Sequence, residues 1–309
     1  MARVLQLLNP VAADLQVSGP AECHETSRLD RGRERSWPMH ENPAHAIITG
    51  GSSGIGLSVA CLLAKEGVSV SILARDQERL ATAKNQISSA AADEAGVEAI
   101  SCDVRSMRAC QAAVQRAISV HGLPNWAISC AGIVKPGTFS SLSLEDHLAQ
   151  LNSNFIGSLN FASAVIPLMK NRGSARLVFV ASGAALVGIY GYSGYAPSKF
   201  AVRGLAEVLR VELRESGISV TLALPPDTDT PQLEFETKLR PTPTKEIAGV
   251  AGVWDPDKVA LAIVTGARKG RFIVAPGVQL RLLSSVHSMV APAFRTYQRW
   301  VIGRYSSET

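Results

Sequence analysis

Short β-branched and apolar runs alternate with stretches of helical length from residue 45 onward, and that alternation limits the folds open to the chain. The runs are His45–Thr49, Val68–Ala74, Val97–Ser101, Trp126–Cys130, Ala175–Ala181 and Ile218–Leu224, with a seventh, Phe272–Ala275, expected at an edge. A strand followed by a helical crossover returns parallel to its predecessor, and strands covered on both faces read as near-continuous apolar runs. The pattern predicts an α/β fold: a Rossmann-type, doubly wound parallel sheet of about seven strands in a single domain. With 309 residues, 46% of them hydrophobic, the chain can bury the core of one such domain and still carry tails.

The turn after the first run narrows the chemistry. Thr49-Gly50-Gly51-Ser52-Ser53-Gly54-Ile55-Gly56 follows Ala46-Ile47-Ile48 and precedes an amphipathic stretch, Leu57–Glu66. Glycines permit positive φ and close backbone approach, and the open N–H groups and dipole of a helix start favour a pyrophosphate. Further along, Tyr195 and Lys199 stand at i and i+4 on one helix face, with Ser182 upstream. An ammonium at that spacing would stabilise phenolate, draw the tyrosine below its ordinary pKa of about 10 and make it a usable acid near neutral pH. Taken alone, Tyr-x-x-x-Lys is a common surface pairing; its neighbours along the chain give it weight.

In order, the Thr-Gly-x-x-x-Gly-x-Gly turn, Asp103-Val104 after the third strand, Ala131-Gly132 after the fourth, Asn154, Ser182, Tyr195 and Lys199 resemble the short-chain dehydrogenase/reductases. The resemblance runs from about Ala44 to Val274. It implies transfer of a hydride from a nicotinamide cofactor to a ketone, with Tyr195 protonating the oxygen and Ser182 holding it. Lys199 would bind the nicotinamide ribose. Asn154, inside a helix expected over Glu145–Met169, would hold a water in a proton relay through Lys199. Cofactor contacts are implied at Gly50, Ser52, Ser53, Gly54, Ile55, Gly56, Asp103, Val104, Ala131, Gly132, Pro225, Thr228 and Thr230, beside Tyr195 and Lys199. Asp103 also has a local reading as the N-cap of a helix over Ser106–Val120. No metal is called for.

The second strand ends Leu73-Ala74-Arg75, where an NAD enzyme would place a carboxylate on the ribose hydroxyl. Arg75 can clasp a 2′-phosphate bidentately and Arg79 can add a second charge, so NADPH is expected over NADH, with Asp76 as the counter-signal. The plain alternative is that both arginines are solvated surface residues.

Two departures from the family pattern carry information. Many relatives have Asn-Asn-Ala-Gly where this chain has Ser129-Cys130-Ala131-Gly132, which puts a structural hydrogen bond in doubt; Cys130 has no base near it in sequence and reads as packing. After the sixth strand comes Pro225-Pro226-Asp227-Thr228-Asp229-Thr230-Pro231. Together with Cys130-Ala131-Gly132, Ala74-Arg75 and Arg203-Gly204-Leu205-Ala206-Glu207, this run resembles the reductases that act on 3-ketodihydrosphingosine. A long-chain lipid ketone is then the expected substrate, with Gln232–Val253 as a mobile lid and the cytosolic face of the endoplasmic reticulum membrane as the location. A steroid or 3-ketoacyl substrate, or a non-catalytic NADPH sensor, are the alternatives; a sensor has no need of the Ser182–Tyr195–Lys199 set.

Five scattered cysteines without Cys-x-x-Cys spacing argue against a disulfide framework or a zinc site. Residues 1–43 mix arginines with six acidic residues, show no sustained apolar period and read as a disordered extension. From Arg268 onward seven basic residues face Glu308 alone, a balance of +6 beside a net charge of +5 for the whole chain. With no aromatic-interleaved basic patch, nucleic acid is not an expected partner. Leu283, Val286, Val290, Phe294, Tyr297 and Val301 share one face of a helix over Leu280–Tyr305, a stripe that reads as a core or oligomer contact or as a face for an anionic membrane, with a kink expected at Pro292.

Overall fold

The structure, a computed structural model, describes residues 44–170, 174–249 and 252–305; the expected disordered extension lies outside them. The described residues belong to one compact unit, Met39–Thr309. Seven parallel strands form its sheet: β1 (His45–Thr49), β2 (Ser69–Ala74), β3 (Val97–Ser101), β4 (Trp126–Ser129), β5 (Ala175–Val180), β6 (Ile218–Ala223) and β7 (Ile273–Val274), in the order β3-β2-β1-β4-β5-β6-β7. The predicted strands are present, the edge strand reduced to two residues. Ile47, Ile48, Ile72, Ile128, Leu177, Phe179 and Leu222 are fully buried because helices cover both faces.

One layer holds α1 (Gly54–Lys65), α2 (Gln77–Ala90) and α9 (Pro256–Arg268), where Leu63, Leu80, Ile87 and Ile263 pack on the sheet. The other holds α3 (Met107–His121), α4 (Leu144–Leu151), α5 (Gly157–Met169) and α6 (Tyr195–Glu212), with Phe161, Val165 and Val202 in its core. Strand order reverses between β1 and β4, and the loops leaving that point open a crevice at the carboxyl edge of the sheet.

One expectation is corrected and two open alternatives are decided. The helix over Glu145–Met169 is not continuous: α4 and α5 are joined by a π-helical turn, Asn152–Ile156, and Asn154 sits within it. A poor helix former whose side chain has better partners elsewhere explains the local widening. Asp103 is not the N-cap of α3; Ser106 fills that role by accepting from the Ala109 N–H at 3.2 Å. Asp103 instead accepts from the backbone N–H of Arg105 and from its guanidinium at 2.6 Å.

The third concerns the carboxyl-terminal segment, a helix α10 over Val278–Tyr305 that runs through Pro292. Pro292 and Ser288, whose carbonyl loses its donor, are both exposed, so water can satisfy the carbonyl and the helix persists. The stripe turns inward, in line with its reading as a core contact and not as a membrane or subunit face: Val301 is fully buried, and Phe294 and Tyr297 line the central cavity. Gln298 fixes this orientation, accepting from the Tyr190 N–H at 2.8 Å and donating to the Gly188 carbonyl at 2.9 Å. No helix among the described residues is long and apolar enough to cross a membrane.

Candidate active site

A cavity of 1010 Å³ occupies the crevice at the carboxyl edge of the sheet. Of the residues singled out from the sequence, Gly50, Ser52, Ser53, Gly54, Ile55, Arg75, Arg79, Asp103, Val104, Ala131, Gly132, Ser182, Tyr195, Lys199, Pro225, Thr228 and Thr230 line it. Gly56 and Asn154 do not line it. A Cβ on Gly56 would come 2.3 Å from the Gly50 carbonyl oxygen, so Gly56 lets α1 start tight against the turn rather than touching a cofactor.

At one end the β1–α1 turn forms a cradle. Gly50 takes φ 68°, and a side chain there would strike the Ala131 backbone at 2.8 Å. Ser53 caps α1 without a side-chain hydrogen bond, leaving the first N–H groups of the helix open to an anion. The loop after β4 is held against this turn by the Thr49 hydroxyl, which accepts from the N–H groups of Cys130 and Ala131 at 3.1 and 3.2 Å. Cys130 therefore needs no side-chain hydrogen bond to keep the loop in place, and desolvation pushes its thiol up to about 11, which suits packing and not attack. These features fit a dinucleotide: the cradle takes a pyrophosphate, and Arg75 and Arg79 stand exposed at the end of β2. Asp76, the counter-signal, is committed to capping α2 through the Arg79 N–H at 3.0 Å. Of the amides near Thr228–Thr230, that of Asp229 is already taken by the Trp254 carbonyl at 2.9 Å.

Deeper in the cavity, Ser182 leaves the end of β5 while Tyr195 and Lys199 share the first turns of α6. The phenol is not lowered as the spacing suggested. Burial pushes it well above the ordinary tyrosine range, the Glu236 carboxylate adds to the rise, and a hydrogen bond with Ser182 pulls the other way. Lys199 lies over the Tyr195 ring, with Nζ 5.7 Å from its centre, and donates to the Val180 carbonyl at 3.1 Å. Burial lowers the Lys199 ammonium to about 8. A phenol that keeps its proton is what reduction of a ketone needs from a donor.

The Asn154 amide bridges the loop after β4 to α6. Its Oδ1 accepts from the Ile133 N–H at 2.8 Å, and its Nδ2 donates to the Ile133 carbonyl and the Ser198 hydroxyl at 3.0 and 2.8 Å. Both amide hydrogens are thus engaged, and the side chain acts as a brace behind Lys199.

Two parts of the cavity were not foreseen. Leu280, Leu283, Phe294 and Tyr297 of α10 form an outer wall, and Tyr192, Asp227 and Glu236 reach the cavity from the loop before α6, the loop after β6 and the segment after it. The segment expected as a lid contains a helix pair, α7 (Pro231–Leu239) and α8 (Thr242–Ala248), tied to α10 where Arg304 and Tyr305 meet Glu246 at 2.9 Å. The signals were present in Glu236 and Arg240 at i, i+4 and in the Pro225–Pro231 run.

The family model for short chain dehydrogenase matches residues 44–239. A 3-dehydrosphinganine reductase of Danio rerio is 37% identical over 257 residues, 82% of this chain and 77% of that protein. One from Arabidopsis thaliana is 41% identical over 245 residues, 78% of this chain and 72% of that protein. Among solved structures, an actinorhodin polyketide ketoreductase with NADPH superposes with a TM-score of 0.69, with 28% identity over 77% of this chain and 97% of that one. The matched span begins at β1 and takes in the cradle, Ser182, Tyr195 and Lys199, so the likeness extends from the sheet to the residues of its crevice: the chain belongs to the short-chain dehydrogenase family.

Proposed function

We propose that this chain reduces 3-ketodihydrosphingosine, also called 3-dehydrosphinganine, to dihydrosphingosine, with NADPH as the reductant. The observation that carries the reading is the position of Ser182 and Tyr195 in a cavity of 1010 Å³ whose outer wall, Leu280, Leu283, Phe294 and Tyr297, is apolar. A polar corner beside an apolar wall suits a ketone near the end of a long alkyl chain. The relatives named for this reaction support it.

NADPH, held by the Gly50–Ile55 turn, the loop at Ala131-Gly132 and Lys199, would supply the hydride. The protein's own part is to hold and protonate the oxygen: the Ser182 hydroxyl orients it, and Tyr195 donates as negative charge develops there. Lys199, cationic below about pH 8, stabilises the phenolate that remains, and Asn154 keeps the loop after β4 in register with α6. Assay of NADPH oxidation against 3-ketodihydrosphingosine, steroid ketones and 3-ketoacyl thioesters tests the reading. The expected result is the highest kcat/KM with the sphingoid ketone, and faster turnover of a steroid or thioester would overturn it.

The choice of NADPH rests on Arg75, which forms no salt bridge among the described residues and acts on the Asp103 carboxylate only through space. Arg75→Ala should weaken NADPH binding roughly tenfold to a hundredfold, the scale of one charge-assisted hydrogen bond, and leave NADH almost unchanged. Equal losses in a fluorescence titration would assign Arg75 a structural role.

The same reading places the chain on the cytosolic face of the endoplasmic reticulum membrane, through the outer side of α10 and not the stripe first expected. Val278, Leu282, Met289 and Trp300 share that side, with Met289 81% exposed, and Arg281, Arg295 and Arg299 flank it. Arginines beside an anionic surface contribute about 1 kcal/mol each. Met289→Asp with Trp300→Asp should therefore abolish co-sedimentation with phosphatidylserine vesicles. A change in sedimentation mass, with no vesicle binding by the parent, would make this side a contact between copies of the chain.

A further inference from the structure

Beside the catalytic tyrosine lies a buried ionic cluster that hydride transfer itself does not require. Arg240, just past α7, donates from Nη1 and Nη2 to the Asp227 carboxylate at 2.6 and 2.8 Å. The same guanidinium donates from Nε and Nη2 to Glu236 Oε1 at 2.9 and 2.7 Å. The Tyr192 hydroxyl donates to that oxygen too, and its ring stands 5.5 Å from the Tyr195 ring.

The charges do not balance. Two carboxylates share one guanidinium, so the ionised cluster holds one unit of negative charge in excess, and burial, with Asp227 adding to it, raises Glu236 above the ordinary carboxylate range. The Glu236 side chain is only 9% exposed and that of Arg240 6%. A buried charge without a counter-charge is costly, and proteins normally complete the pair. Every hydrogen bond to Glu236 falls on Oε1; among the described residues no donor reaches Oε2. Glu236 and Asp227 both line the catalytic cavity. Lys199, whose ammonium lies over the Tyr195 ring, is held on the Val180 carbonyl.

We propose that Glu236, backed by Asp227 and Arg240, receives the 2-ammonium group of the sphingoid substrate and so selects 2-amino ketones over plain long-chain ketones. The proposal rests on the substrate reading given above. In such a ketone the carbon bearing nitrogen is bonded directly to the carbonyl carbon, so an oxygen placed at Tyr195 brings the ammonium into the immediate neighbourhood of the phenol. Tyr192, with its ring against Tyr195 and its hydroxyl on Glu236, links the two side chains. The selection reaches the chemical step as well. Glu236 and Asp227 both strengthen the hold of Tyr195 on its proton, and Arg240 only partly offsets them. An ammonium seated on Glu236 cancels the excess negative charge and eases release of the proton to the ketone. Substrates with the amine then gain in kcat as well as in KM.

The test compares kcat/KM for 3-ketodihydrosphingosine with that for its 2-deamino analogue of equal chain length, in the parent and in Glu236→Gln and Asp227→Asn. The parent should prefer the amino ketone at least tenfold, and Glu236→Gln should bring the ratio close to one whatever happens to the absolute rates; Asp227→Asn should lower it in part. A purely structural role would depress both substrates together and leave the ratio unchanged, and that result in a folded Glu236→Gln protein overturns the proposal. Should that variant not fold, Asp227→Asn is decisive in the same way, and should neither fold, the parent's ratio decides. A parent that reduces both ketones equally removes the ammonium site and leaves the substrate reading standing. A parent that reduces neither, but reduces a steroid or a 3-ketoacyl thioester, removes both.

Discussion

Tyr195→Phe is expected to lower kcat for ketone reduction by roughly a thousandfold while NADPH binds almost as before, a loss within the range that a positioned general acid contributes. The substitution deletes one hydroxyl and little else. Tyr195 is 8% exposed, its ring packs edge-on against Tyr192 at 5.5 Å, and the Lys199 ammonium sits over the same ring. A phenyl ring preserves all three contacts, so the fold and the cradle at Gly50 should be undisturbed. What disappears is the proton that burial and Glu236 keep on the phenol and that Ser182 helps to direct. Residual turnover within tenfold of the parent in a single-turnover assay would mean that the proton reaches the ketone by another route. Lys199 makes a useful contrast, since loss of its ammonium should weaken cofactor binding and rate together.

The sheet was legible because parallel strands covered on both faces carry short, largely apolar runs, such as Ala46-Ile47-Ile48 and Leu177-Val178-Phe179-Val180, between stretches of helical length. Ends of strands differed by a residue, as at Cys130 and Ala181, whose N–H groups still bond to the carbonyls of Thr49 and Ala223. The cradle was legible for a related reason: its glycines answer to backbone clearance, which leaves a local trace. The pKa of Tyr195 was not legible. Spacing placed Lys199 near the ring but gave no account of burial, and burial decides the sign. Nor could an amphipathic pattern say which way α10 faces. The stripe through Phe294 and Tyr297 is the same whether it meets lipid, a subunit or a cavity; Gln298, anchored on the 188–190 segment more than a hundred residues earlier, decides it. The Glu236 cluster draws on three segments of chain and so leaves no single motif.

Nothing in the sequence drew attention to His45, yet it should govern how the fold responds to mild acid. The residue opens β1 and is fully buried. Its Nδ1 lies 2.7 Å from the Gly122 carbonyl, which can only accept, so Nδ1 carries the hydrogen and Nε2 accepts from the Ser71 hydroxyl at 2.9 Å. The neutral ring satisfies both partners. Burial, helped by the His121 ring 5.3 Å away, lowers the His45 pKa to about 4 from the ordinary 6.5. Between those values the unfolded chain binds a proton that the folded chain refuses, so stability rises with pH across the window and falls as the solution is acidified through it. The contribution is fully present above pH 6.5 and is lost by about pH 4, where the folded ring also protonates. At about 1.4 kcal/mol per pH unit the loss is on the order of 3 kcal/mol, a large part of the stability of an ordinary domain. Burial lowers His121 as well, which adds to the slope with the same sign. Urea unfolding of the parent between pH 7 and pH 4 should show this decline, and His45→Gln should flatten much of it even if the variant starts less stable at pH 7. The carboxylates paired in the folded state, such as Glu98 with Arg116 and Asp103 with Arg105, are held below their ordinary 4.5 and 3.8 and begin to lose their contribution only near those values, so the decline above them belongs to the histidines. An equal slope in parent and variant would mean that the ring protonates in place and that the β1 environment tolerates the imidazolium.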